Sequence, residues 1–192
     1  PYVYQGEELG LPNAGFTSID QYRDLEAVNY HAEAVAAGAD EATVLAGLAA
    51  KSRDNARTPV PWQRAAGVGF TKGSPWIEIP EPVTTAGEAL IDQDSVFHHY
   101  RRLIELRHSE PLVVDGVFDL LAPEHPQLWA FTRTGETGVL LVLANCSSQP
   151  VQLPDDLPDT SAATLLLCTH SETGSDVLQP WESRLYSLEV TA

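Results

Sequence analysis

Two arginines four residues apart mark the stretch of this chain with the clearest potential for chemistry. Lys51 to Trp62 reads KSRDNARTPVPW, with Asp54 and Asn55 between Arg53 and Arg57 and an abrupt stop at Thr58-Pro59. If the segment ends a helix, positions i and i+4 share a face and both guanidiniums project the same way. A residue before proline is pushed into extended geometry, which closes the turn at Thr58. The product is a cationic fork on a short tether with a carboxylate beside it. Such a fork suits a carboxylate, a phosphate or a group of sugar hydroxyls. The same residues would also serve as a salt-bridge knot pinning a loop, and ion-pair networks are common outside active sites.

The other chemistry-bearing residues are less organised. Glu7 and Glu8 are adjacent, so their side chains point apart and make a poor acid/base pair. Capping the next turn or holding an arginine is the simpler role for them. Glu26 lies just inside an expected helix, where a solvated face is the ordinary reading. His31, His98, His99 and His108 have no acid or cysteine at a recognisable ligand spacing, so no metal site is expected. Cys146 and Cys168 fit neither a metal pattern nor a disulfide framework, which points to a cytoplasmic setting.

These residues must be positioned by a chain of 192 residues carrying 27 acids against 11 bases, a net charge of −16. That balance disfavours nucleic acid and anionic membrane as partners, and no apolar run reaches membrane-spanning length. The length allows one or two domains. Tyr2, Val3 and Tyr4 form a short apolar run ended by Gly6, as a buried parallel strand would. Ser18 and Gln21 read as a capping box opening a helix through Ile19, Tyr22 and Leu25, which Gly38 ends. Asp40 caps a second helix with an apolar stripe of Val44, Leu45, Leu48 and Ala49, and this helix delivers the fork.

From Pro59 to Pro82 the chain is loop-like, with prolines and glycines throughout and Trp62, Phe70 and Trp76 along it. These aromatics are expected first to anchor the loop and second to stack on a ligand. Asp94-Ser95 open an amphipathic helix through Val96, Phe97, Tyr100, Leu103, Ile104 and Arg107, ended by Pro111. Short β-rich runs then alternate with turn signals: 117–121, 128–132, 139–144, 163–168 and 184–190. That pattern predicts an antiparallel sandwich. The expected division is therefore 1–110 and 111–192. Asn145, at the end of VLLVLAN, is expected to serve a turn.

Four motifs in order carry a family resemblance: PYVYQGEELGLPN at the start, IDQYRDLEAVNY from Ile19, RDNARTP with Trp62 following, and GFTKGSPWIEI from Gly69. Together they resemble the C-terminal portion of the oligo-1,6-glucosidase and α-glucosidase branch of glycoside hydrolase family 13. The resemblance implies an α/β plus all-β chain. It would comprise the last strand and helix of a TIM (β/α)8 barrel with a long helical insert, followed by an antiparallel β-sandwich. It implies that Arg53 hydrogen-bonds the non-reducing glucose, that Arg57 supports it, and that Glu26 lies near the second sugar.

A complete barrel needs roughly 250 residues. The nucleophile, the acid/base and the third acid of such an enzyme would therefore lie in an N-terminal barrel segment ahead of Pro1. This chain alone is expected to be inactive, to carry no catalytic residue and to need no cofactor or metal. Its partner would be a small-molecule α-glucoside. The lone barrel pieces should also promote self-association. Sucrose isomerases and trehalose-forming enzymes are neighbours within the resemblance. A non-catalytic carbohydrate-binding or scaffold module is the reading from a different class.

Overall fold

The computed structural model describes residues 2–170 and 175–188. It divides into two compact units, Pro1–Arg101 and Arg102–Ala192.

The first unit is built from short helices and loops. The opening residues do not form the expected strand. Tyr2, Val3 and Tyr4 are exposed, and the chain turns back into a single 3-10 turn at Glu7–Leu9. A parallel strand draws its hydrogen bonds from neighbouring strands, and among the described residues none lies beside this segment. Glu7 and Glu8 lie in that turn and do not cap it from outside; their carboxylates accept the N–H groups of Tyr4 and Gly6 just ahead of it.

The Ser18–Gln21 capping box is present, but it closes only a 3-10 turn at Ile19–Gln21. Tyr22 then leaves the helical region with ψ 145°, and helix α1 (Leu25–Ala36) starts at a second cap, Asp24. The interruption has a cause outside the segment. The carboxylate of Asp54 takes the N–H groups of Arg23 and Asp24, which a continuous helix would have spent internally. As a result Leu25 is exposed, while Tyr22 is buried edge-on against Phe16 at 5.4 Å.

Helix α2 (Glu41–Lys51) is capped as expected, with the Asp40 carboxylate accepting from the Thr43 N–H at 2.9 Å. Val44 and Leu48 pack into a core with Phe16, Tyr22, Ala27 and Ile77. Two further helices follow, α3 (Ala86–Ile91) and α4 (Val96–Ser109). The boundary between the two units falls within α4, and no residue of α4 is buried.

Among its described residues the second unit holds α5 (Leu112–Asp115) and seven strands: β1 (Val117–Leu121), β2 (Leu128–Gly135), β3 (Gly138–Asn145), β4 (Val151–Gln152), β5 (Thr164–Cys168), β6 (Val177–Leu178) and β7 (Ser183–Leu188). Five form one antiparallel sheet in the order β1-β2-β3-β7-β5, and β4 pairs with β6 in a second, two-stranded sheet. The five expected β runs are β1, β2, β3, β5 and β7. The end of the last run, 189–190, lies outside the described residues, as does most of the turn that begins at Ser171.

One core joins the two sheets: Leu128, Ala130, Leu141, Leu143 and Tyr186 from the large sheet, Val151 and Leu178 from the small one. β2 alternates as a half-buried strand should, with Leu128, Ala130 and Thr132 inward and Trp129, Phe131 and Arg133 outward. The β2–β3 hairpin pairs Gly135 with Gly138. The methyl end of Leu112 occupies the space beside Gly135, 2.5 Å from where a Cβ would stand. Asn145 does serve a turn: its amide donates to the Gln149 and Gln179 carbonyls, and its Oδ1 accepts from the Ser147 N–H.

Candidate functional site

The fork differs from a helix end. Helix α2 stops at Lys51, Ser52 turns the chain with ψ 142°, and residues 53–57 form a 3-10 turn. Its ends are held from several sides. Ser52 Oγ accepts the Asp54 N–H. The Asn55 side chain donates to the Ala49 carbonyl and accepts the Ala14 N–H, tying the turn to α2 and to the segment before α1. The Tyr4 hydroxyl donates to the Ala56 carbonyl at 2.8 Å. Thr58 is extended ahead of Pro59, as the sequence requires.

The two guanidiniums do not stand side by side as a free pair. Arg53 meets Asp24 in a fork-on-fork contact, Nε donating to Oδ2 at 2.9 Å and Nη2 to Oδ1 at 3.1 Å. Its Nη2 also reaches Glu26 Oε2 at 2.5 Å. Arg57 Nη1 pairs with Asp54 Oδ1 at 3.2 Å and lies 3.7 Å from Asp24 Oδ1. Glu26, Arg53 and Arg57 are therefore brought together, and Asp24 is the group on which both arginines converge.

Burial works against ionisation of Asp24. The hydrogen bond and charge of Arg53, the Glu26 N–H and the charge of Arg57 outweigh it and hold the carboxyl below its ordinary range. Arg53 is correspondingly pushed up, first by its hydrogen bond to Asp24.

The Arg53 side chain is still 59% exposed. It borders a groove of about 350 Å³ lined by Asp24, Glu26, Tyr30, Lys51 and Ser52 among others. A charged planar donor, braced by carboxylates on one edge and open on the other, can recognise hydroxyl or anionic oxygens without reorganising.

The aromatics of the 59–82 loop do not anchor it within this chain. Trp62, Phe70 and Trp76 are each more than half exposed, while Val68 and Ile77 are the residues that go inside. The loop is instead held by backbone and arginine contacts. The Trp62 N–H donates to the Val68 carbonyl at 2.8 Å, and Arg23 Nε donates to the Trp76 carbonyl at 3.1 Å. Arg64 binds Glu88 and the carbonyls of Pro82 and Val83.

The sequence singled out Arg53, Arg57 and Glu26, which the fold brings together, but gave no role to Asp24, on which both arginines converge. The available signal was its place as a second N-cap inside the expected helix. Among the described residues, no group of three His, Cys, Asp or Glu side chains can hold a metal ion. Nor is any helix long and apolar enough to cross a membrane.

The catalytic-domain profile of the α-amylase family ("Alpha amylase, catalytic domain") matches residues 1–116. The chain belongs to the α-amylase family. Its relatives are glycoside hydrolases. Over 198 aligned residues it is 39% identical to the probable oligo-1,6-glucosidase 2 of Bacillus subtilis, covering 100% of this chain and 35% of that protein. It is 42% identical to the trehalose-6-phosphate hydrolase of the same organism, covering 98% and 35%.

Among solved structures, the trehalose-6-phosphate hydrolase of Bacillus licheniformis matches with a TM-score of 0.91 at 38% identity, over 98% of this chain and 36% of that one. The isomaltulose synthase of a Klebsiella species matches at 0.85 and 30% identity, over 97% and 35%. This α-amylase family chain thus spans about a third of the length of the relatives it matches.

Proposed function

We propose that this chain is the C-terminal part of a retaining, exo-acting α-glucosidase that hydrolyses short α-glucosides, in the manner of an oligo-1,6-glucosidase. In this reading Pro1 to Glu110 supply the last strand and helix of the catalytic barrel with a long inserted loop, and 111–192 form its C-terminal sandwich. The segment at Tyr2–Tyr4 becomes a strand only when paired with the preceding barrel strands. Arg53 contributes hydrogen bonds to the glucose that is cleaved off, with Glu26 and Arg57 beside it.

The two carboxylates of a retaining mechanism, about 5 Å apart, belong to the upstream barrel segment, so the 192-residue chain performs no chemistry alone. The free thiols of Cys146 and Cys168 are in keeping with a cytoplasmic enzyme. The observation that carries the reading is the Arg53 guanidinium, fixed by Asp24 and Glu26 at the edge of a groove. It belongs to a family whose chemistry is the cleavage of sugars.

A second reading, a hydrolase of phosphorylated trehalose, is supported by the 42% identity to the Bacillus subtilis enzyme of that name. One assay separates the readings. The full-length protein is given p-nitrophenyl α-glucoside, isomaltose, trehalose 6-phosphate and sucrose, and Arg53→Ala is run beside it. The first reading expects isomaltose to be cleaved with retention, and the variant to lose on the order of 100-fold in kcat/KM as charge-assisted contacts vanish. Preference for trehalose 6-phosphate would install the second reading. Rearrangement of sucrose would mark an isomerase. No turnover of any substrate by the full-length protein would favour a non-catalytic module.

A further inference from the structure

Asp54 is the only fully buried carboxylate of the first unit among the described residues, and its contacts lead to the binding arginine by a defined route. Its Oδ2 accepts two backbone N–H groups, from Arg23 at 2.6 Å and from Asp24 at 2.8 Å. Its Oδ1 accepts from Arg57 Nη1 at 3.2 Å. The cap residue Ser52 accepts the Asp54 N–H, and Asn55 ties the turn to α2 and to the segment at Ala14. Asp54 is therefore the side chain of the 3-10 turn that holds the backbone at the start of α1, where both carboxylates facing Arg53 reside.

Two donors on one oxygen fix the peptides on either side of Arg23. They hold Asp24 in its extended capping conformation, φ −69° and ψ 118°, and that pose turns the Asp24 carboxylate onto the Arg53 fork. The route forms a closed ring: Asp54, the backbone of 23–24, the Asp24 carboxylate, Arg53, and back to Asp54 through one peptide.

We propose that Asp54 is a positioning residue for sugar recognition: it sets the place of Arg53 through the backbone at Arg23–Asp24 and does not touch the substrate. The proposal rests on the α-glucosidase reading for the sugar-binding role of Arg53, while the positioning of Arg53 by Asp54 is read separately by exchange. Removing the carboxylate charge in Asp54→Asn leaves one acceptor where two backbone donors and Arg57 now converge. The Asp24 grip then slackens. Small displacements of a binding group cost large factors in rate, so kcat/KM for p-nitrophenyl α-glucoside in the full-length protein falls about 10- to 100-fold.

A thermodynamic cycle separates positioning from mere structural support. If Asp54 acts through Arg53, Asp54→Asn changes kcat/KM by less than about 2-fold in an Arg53→Ala background. If the two losses multiply, the proposal is overturned. A second readout does not need turnover. With 15N-labelled arginine, the Nε–H of Arg53, assigned from an Arg53→Lys variant, exchanges slowly in the wild type because it is held by Asp24. In Asp54→Asn it exchanges on the order of ten times faster, as expected for a freed donor. The Nε–H of Arg64, bonded to Glu88 in the same unit, stays unchanged and reports an intact first unit. Loss of both signals would make Asp54 a requirement of folding and sink the proposal. A wild type without α-glucosidase turnover would overturn the functional reading alone, and the Arg53 exchange rate would still decide the role of Asp54.

Discussion

Arg53 and Arg184 are both paired to a carboxylate, yet their surroundings give them different tasks. Arg53 keeps more than half of its side chain exposed, so its partners orient it and leave an edge for a ligand. Arg184 and Glu182 are sealed in the sandwich: Arg184 Nη1 and Nη2 donate to the Ser175 and Val177 carbonyls, and Glu182 Oε2 takes the Gln179 N–H. Those bonds hold the chain around β6 and β7.

Burial opposes the Glu182 charge, but the bonds from Arg184 and Gln179 overcome it, and the carboxyl lies below its ordinary 4.5. A folded-state pKa below the unfolded one means that the pair stabilises the fold above about pH 4.5. That contribution is lost as pH falls through the lower, folded value. Glu182→Gln should therefore cost about 3 kcal/mol at pH 7 by stranding a buried guanidinium. The gap between variant and wild type in chemical denaturation should narrow as the pH is taken below 4.5. A gap that stays constant with pH would mean that the pair's charge contributes nothing.

Local signals survived where an element satisfies itself, and failed where a distant residue intervenes. Strands β1, β2 and β3 were legible because each alternates or runs apolar between strong turn residues and pairs with its sequence neighbour. The Asp40 cap and the α2 stripe were legible for the same reason. Residues 18–25 read as one helix because the capping box and the apolar spacing are both real. What breaks that helix is Asp54, some thirty positions later, and no periodicity reports it. The acidic partner of Arg53 was hidden in the same way, since Asp24 meets it only across the α1–α2 pairing. The short sheet of β4 and β6 was missed because two-residue strands carry no period.

The strand assignments make β3 the spine of the large sheet, paired on both sides and contributing Leu141 and Leu143 to the core. Leu141 is fully buried. Leu141→Ala should cost about 3 kcal/mol, the transfer and cavity terms together, read as a shift in denaturant midpoint with unchanged slope. A cost below about 1 kcal/mol would mean that the two sheets do not share a tight core.

Over the whole chain, polar satisfaction and apolar exposure disagree. Among the described residues no buried side-chain nitrogen or oxygen lacks a hydrogen bond, yet large apolar groups remain in water at particular places. Tyr2, Val3 and Tyr4 at the start, Leu90 and Ile91 on α3, and Val96, Leu103 and Ile104 on α4 are all exposed. A chain that closed its own barrel would hide such residues. The chain spans about 35% of the length of a relative, and its own described residues leave these groups uncovered. Exposed apolar groups promote association, since soluble domains rarely tolerate contiguous patches beyond a few hundred Å².

The 192-residue chain, produced by itself, should therefore associate through residues 1–110 in sedimentation experiments at micromolar concentration. Leu103→Ser with Ile104→Ser should shift it toward monomer. The mutations lie outside the sandwich core, so the denaturation of that core should be unchanged. The net charge of −16 opposes association over a screening length of about 10 Å at 0.1 M salt. Added salt should accordingly strengthen the self-contact if it is apolar, and weaken it if it rests on the few arginines meeting acids. A strictly monomeric chain whose first hundred residues resist protease would show that this segment is complete without an upstream barrel. The assignment of its apolar faces to that barrel would then be wrong.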